Sequence, residues 1–182
     1  MSRAMGIWGA LVLLATTAQA GEGVSISGGY SFLQSLEESG GNAPVGLYLS
    51  VAGRGSRTLE LDVGYHLDSG DPPSGQKPTR QTLTAAVGLR LGRAGGRSSG
   101  ADRILPYVHL LGGFRHDWRS AYTDIGAAGY TAWGGMAGLG IDLTAGEGFS
   151  VRLGADFQIF FDNRVVRTVN LKTLRVLAGL TF

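Results

Sequence analysis

From Leu174 to Phe182 the chain keeps a strict two-residue period, with Leu174, Val176, Ala178, Leu180 and Phe182 on one face and Arg175, Leu177, Gly179 and Thr181 on the other. Side chains alternate across a strand and follow a 3.6-residue period in a helix, so an apolar face of this kind belongs to extended chain. The pattern recurs. Val24, Ile26, Gly28, Tyr30 and Phe32 alternate with serines and glycine; Val45, Leu47, Leu49 and Val51 follow; Leu59, Leu61, Val63 and Tyr65 oppose Glu60, Asp62 and Gly64. Leu83, Ala85, Val87, Leu89 and Leu91 oppose Thr82, Thr84, Ala86, Gly88 and Arg90. Between Phe149 and Phe161 the apolar positions Val151, Leu153, Ala155, Phe157 and Ile159 alternate with Ser150, Arg152, Gly154, Asp156, Gln158 and Phe160. Two segments are less regular. Leu105 to Arg115 has Leu110 and Leu111 adjacent, and its outward set is taken as Pro106, Val108, Leu110, Gly112 and Phe114; Tyr130 to Leu143 is glycine-rich, with Trp133, Gly135, Ala137, Leu139 and Ile141 outward.

Two architectures use half-apolar strands: a soluble sandwich with one wet face, and a barrel whose apolar face meets lipid. The faces opposite the apolar positions are mostly Gly, Ser, Thr and Ala, with few of the Lys and Glu a wet surface would carry. Charged residues make up only 16% of the chain and glycine numbers 31, which is low charge and high glycine for a soluble domain. After the first twenty residues no apolar run approaches the roughly 18 residues of a spanning helix. A bilayer can still be crossed by a closed sheet, in which every backbone polar group is paired. The expected fold is therefore all-β, an eight-stranded antiparallel up-and-down transmembrane β-barrel.

At the other end of the sequence Arg3 precedes an apolar core from Ile7 to Ala15 and small residues at Ala18 and Ala20. This reads as a secretory signal peptide spanning 1–20 and cut near Ala20, leaving 21–182 as one barrel domain. The chain has no cysteine, so neither disulfides nor thiolate metal sites are available. Sixteen Lys and Arg against fourteen Asp and Glu give a net charge of +2, too balanced to suggest nucleic acid as a partner.

An up-and-down barrel of even strand number puts both termini and the short turns in the periplasm and the longer loops outside. Gly53 to Ser56 and Thr144 to Glu147 fit short turns; Ser35 to Ala43, Leu67 to Arg80 and His116 to Gly129 fit outer loops, while Gly92 to Asp102 is long for an inner turn. Aromatic residues at the ends of the segments, among them Tyr65, Trp118, Trp133, Phe149 and Phe182, read as interfacial girdles.

An eight-stranded barrel is only wide enough for side chains to fill it, and an unpartnered charge there is costly. Counting from the short turns brings Glu60 near Arg90 and Asp156 opposite Arg175, with Asp62 and Arg152 in reach of the same network, so these six are expected to form a structural salt-bridged plug. Toward the outer rim Lys77, Arg80, Arg115, Arg119, Arg164, Arg167 and Lys172 form a basic collar suited to lipopolysaccharide phosphates. Catalytic chemistry has little footing. His66 is placed at the outer end of its strand, His109 inside the barrel and His116 at the start of an outer loop; none has a serine two residues on, as a lipid-facing His-x-Ser pair of the lipid A deacylase kind would require. No repeated His, Asp or Glu spacing suggests a metal site, and no cofactor is implied.

With its signal, eight alternating segments, inward charges and Leu180-Thr181-Phe182 ending, the chain from Gly21 to Phe182 resembles the small outer-membrane barrels of the OmpA transmembrane-domain and OmpX/Ail type. The resemblance implies the outer membrane of a Gram-negative bacterium, insertion by the outer-membrane assembly machinery reading Phe182, contact with outer-membrane lipids and lipopolysaccharide, and a monomer. It implies a non-enzymatic role in structure or surface interaction, such as adhesion or envelope integrity, exercised through the outer loops. A narrow porin-like pore and a lipid A-modifying enzyme are the alternatives.

Overall fold

The computed structural model describes residues 23–36, 43, 45–69, 79–93, 103–119, 128–146, 148–162 and 169–182. These residues form eight strands: β1 (Val24–Ser35), β2 (Val45–Gly53), β3 (Arg57–Ser69), β4 (Thr79–Leu91), β5 (Ile104–Arg119), β6 (Ala128–Gly146), β7 (Phe149–Asp162) and β8 (Val169–Thr181). Each pairs antiparallel with the next and β8 returns to β1, closing the barrel. At the seam Phe182 exchanges both backbone hydrogen bonds with Ile26, at 2.9 and 3.1 Å, and Ser27 Oγ meets Thr181 Oγ1 at 2.8 Å. The terminal phenylalanine is thus fixed by main chain while its ring stays exposed.

Closure sets the stagger. Pairing from Tyr30 through Leu47, Tyr65 and Leu83 arrives at His116. Pairing the other way, through Ala178, Leu153 and Ile141, arrives at Pro106. The two arrivals lie ten positions apart along β5, and that difference is the barrel's shear. It is even, so every strand keeps one face inward all the way round.

The burial pattern is inverted relative to a soluble protein. Exposed side chains include Leu47, Leu59, Leu89, Leu110, Trp133 and Leu139, whereas the buried set includes Glu60, Asp62, Arg90, Asp142, Arg152, Asp156 and Arg175. A soluble sandwich would bury the first group. An apolar belt around a polar, charged interior suits a barrel whose solvent is lipid. No helix among the described residues is long and apolar enough to span a membrane; the strands make the belt.

The outward sets expected from the two-residue period, including those of β5 and β6, are the faces the structure turns outward. Strand ends differ from expectation. β5 runs to Arg119 and does not end at Arg115, and β3 and β4 reach Ser69 and Thr79, so the outer connections begin later than the sequence suggests. Cross-strand pairing overrides the local turn signals there: Trp118 pairs with Gln81 and Gly129, and Asp68 with Arg80. β6 runs to Gly146 through a register shift between Thr144 and Gly146, and Gly148 takes φ +102°, the left-handed region open to glycine, to complete the hairpin into β7. The signal segment and most of the Gly92 to Asp102 turn lie outside the described residues.

Candidate functional site

The inward register of β3 to β8 projects a continuous ionic network into the lumen. Asp142 on β6 is one anchor: Arg152 donates to it twice, Nε at 2.8 Å and Nη2 at 2.9 Å, and Arg90 Nη2 donates at 3.1 Å. Paired donation of this kind is the stronger form of the arginine–carboxylate contact. Tyr107 packs its ring against both cations, 3.9 Å from the Arg90 guanidinium carbon and 4.9 Å from that of Arg152. Arg90 and Arg152 also face Glu60 Oε1 at 3.8 and 3.7 Å, and Ser50 Oγ donates to the same oxygen at 2.5 Å.

Arg175 on β8 is the other anchor. Its Nη1 reaches Asp62 Oδ1 at 2.6 Å, its Nε reaches Asp156 Oδ2 at 2.6 Å, and Nη2 lies 3.7 Å from the Met136 sulfur. His109 joins the two halves, with Nδ1 3.0 Å from Glu60 Oε2 and Nε2 2.9 Å from Asp156 Oδ1. Gly138 lies directly beneath that second contact; a Cβ there would collide with Asp156 Oδ1 and His109 Nε2.

Nearer the outer end the lumen changes character. Arg115 donates to Asp117 through Nε at 2.9 Å and Nη2 at 3.2 Å, Thr82 also donates to Asp117, and Ser31 Oγ meets His66 Nε2 at 2.9 Å. Thr173 Oγ1 donates to Gln158 at 3.1 Å. Beside these groups Ala86, Leu111, Ala132, Met136 and Phe160 form an apolar cluster, with Leu171 against it. His66 Nδ1, Arg115 Nη1 and Gln158 Nε2 are buried without a hydrogen-bond partner.

The structure brings together all six charged residues expected in the plug, Glu60, Asp62, Arg90, Arg152, Asp156 and Arg175, and Asp156 pairs with Arg175 both in register and through side chains. Sequence reasoning left out Asp142 and Tyr107. Both sit on the inward parity of their strands, Asp142 beside outward Ile141 and Tyr107 beside outward Pro106 and Val108, so the two-residue period carried the signal. Glu60 to His109 is a different case, since β3 and β5 are not neighbours and the contact crosses the lumen.

Arg115 corrects the basic collar. Its side chain is 2% exposed inside the barrel, paired with Asp117, because β5 continues past it on the inward register. Lys172 points outward and is exposed; Lys77, Arg164 and Arg167, and the side chains of Arg80 and Arg119, lie outside the described residues. His116 is also corrected. It belongs to β5, on the lipid-facing wall, where Nδ1 is 2.6 Å from Thr131 Oγ1 and its ring centre lies 4.3 Å from that of Trp118, tilted by 58°. The hydroxyl partner comes from the neighbouring strand, in register with His116, and not from two residues along. No Asp or Glu shares that outward wall among the described residues, and no cluster of His, Asp or Glu suited to a metal occurs among them.

A closed eight-stranded antiparallel sheet with an apolar exterior and a charge-paired interior decides the fold. It is that of the small outer-membrane barrels. The chain is similar in structure to Ail, the attachment invasion locus protein of Yersinia pestis, with 14% identity, 89% of this chain and all of that one covered, and a TM-score of 0.56. Neisserial surface protein A gives 11% identity, 87% and 94% coverage and 0.59; the outer membrane protein OprG of Pseudomonas aeruginosa gives 14%, 88% and 95%, and 0.55. No protein-family model matches the sequence, and comparison with curated proteins also finds no match. At these identities the likeness is one of fold, and chemistry must be argued from the site.

Proposed function

We propose that this chain is an integral outer-membrane protein of a Gram-negative bacterium that acts as a closed, non-enzymatic scaffold, working through surface interaction of its outer loops in adhesion or envelope integrity. One observation carries the reading: the lumen is crossed from β3 to β8 by ion pairs and hydrogen bonds joining Asp62, Arg175, Asp156, His109 and Glu60, leaving the charges paired with one another and not lining a water path. A barrel with its interior filled has its exterior and its loops left for function. Ail, which shares the fold, has been solved with the heparin analogue sucrose octasulfate. A polyanion is a fitting class of partner here as well, since Lys77, Arg80, Arg119, Arg164, Arg167 and Lys172 would meet lipopolysaccharide phosphates at the outer rim. Replacing Arg164, Arg167 and Lys172 with Ser should weaken lipopolysaccharide association in a salt-dependent way; unchanged binding across several salt concentrations would remove that partner. The barrel acts as a monomer, and Phe182, held at the seam, serves as the signal read during assembly.

A second reading rests on the lipid-facing His116–Thr131 contact, a hydroxyl beside an imidazole where an outer-leaflet lipid would lie. Hydrolysis there would need a third group to orient the imidazole. We therefore expect lipid A from cells carrying the chain, or its His116→Ala and Thr131→Ala variants, to give identical mass spectra. A mass shift abolished by either variant would make the protein an enzyme.

A further inference from the structure

Both ring nitrogens of His109 face carboxylate oxygens, Nδ1 that of Glu60 at 3.0 Å and Nε2 that of Asp156 at 2.9 Å. A neutral imidazole has one N–H and one lone pair, and an ionised carboxylate only accepts. If the imidazole were neutral, one contact would set lone pair against lone pair, unless a carboxyl took up the missing hydrogen. Either way the triad Glu60–His109–Asp156 must hold one proton more than two carboxylates and a neutral ring.

The charges of the described buried residues lean the same way. The buried charged residues described are the acids Glu60, Asp62, Asp117, Asp142 and Asp156 and the arginines Arg90, Arg115, Arg152 and Arg175, which leaves one negative charge in excess. An uncompensated charge in such an interior is expensive. One proton on the triad removes it. His66, the other inward histidine, needs none, because Nε2 meets a serine hydroxyl and Nδ1 has no partner.

We propose that His109 is a proton-operated latch of the lumen, its imidazolium tying the Arg175 half of the plug to the Arg90–Arg152 half. The groups around it come from every side: Glu60 and Asp62 on β3, Arg90 on β4, Tyr107 on β5, Asp142 on β6, Arg152 and Asp156 on β7 and Arg175 on β8, with Tyr48 on β2 beyond them. Removal of the extra proton leaves His109 one N–H to share between two carboxylates: Glu60 keeps its Ser50 donor and Asp156 its Arg175 donor, but one ring nitrogen then sets its lone pair against a carboxylate oxygen. The link between the two halves then parts, and ions gain a way through. Gly138 supports the design, since any side chain there would occupy the space of the His109–Asp156 contact. The latch rests on the filled lumen alone and stands or falls separately from any role of the loops.

The test uses the refolded full barrel in detergent micelles and planar bilayers. Nitrogen NMR of histidine-labelled protein should find hydrogen on both ring nitrogens of His109 at neutral pH, and on only one of His66. Bilayer conductance should be absent at neutral pH and arise as pH is raised through loss of that proton. Glu60→Gln balances the interior charge with a neutral ring, because an amide can donate to Nδ1; it should remain closed at both pH values, with a singly protonated His109. His109→Gln, if it folds, should conduct at neutral pH. A His109 ring carrying one hydrogen in the folded wild-type barrel at neutral pH, with no proton on either partner carboxyl, would overturn the proposal, as would a conductance step that Glu60→Gln leaves in place.

Discussion

Two histidines point into the same lumen and meet opposite surroundings. His109 lies between two carboxylates in a network of charge-assisted bonds; His66 meets one serine, with its second nitrogen unpartnered. The inner half of the barrel is held by a connected ionic network of four acids, three arginines and His109, in which Arg90 Nε and Nη1 lack a hydrogen bond, and the outer half by the separate Arg115–Asp117 ion pair and neutral pairs beside an apolar cluster. In a low-dielectric interior, removing one member of a connected charge network strands several charged partners, whereas losing a neutral pair strands one group of smaller cost. Stability should reside mainly in the inner half.

Substitutions can break that contrast in order of size. Arg175→Met removes the donor shared by Asp62 and Asp156 and should cost about 3–5 kcal/mol, read as a lower urea midpoint of the folded barrel. A loss near that of a surface change would equalise the two halves. Gly138→Ala forces a methyl into the His109–Asp156 contact and should cost roughly 1–3 kcal/mol, the usual range for overpacking; Gly112→Ala, outward on β5 where an added Cβ meets nothing nearer than 3.9 Å, is its control. Ser31→Ala leaves His66 without its hydroxyl and should cost about 1–3 kcal/mol at most, with no change in any conductance. Arg164→Ser, Arg167→Ser and Lys172→Ser together should stay within about 0.5 kcal/mol each, so their effect, if the collar is right, falls on lipopolysaccharide alone.

The faces of all eight strands were legible because a half-apolar strand advertises its period directly, and the Asp156–Arg175 pair followed by counting from a short turn. Arg115 sits at the end of the alternating segment, where the sequence offers a loop; pairing with β4 and β6 carries β5 on to Arg119, and parity then puts Arg115 inward with Gly113 and Asp117. His116 and Thr131 meet only through the β5–β6 register, which local sequence does not state. The Glu60–His109 bond crosses the lumen between strands that are not neighbours, so it depends on the closure and shear of the barrel as a whole. That long-range contact is also the one on which the chemistry of the interior turns.

The most direct test of a filled, latched lumen is the conductance of the purified barrel in a planar bilayer at neutral pH. A silent membrane is expected, with the protein verified as folded by its heat-sensitive electrophoretic mobility. A large, steady current from the wild-type barrel at that pH would contradict it, because ions would then be passing where His109, Glu60 and Asp156 are held together.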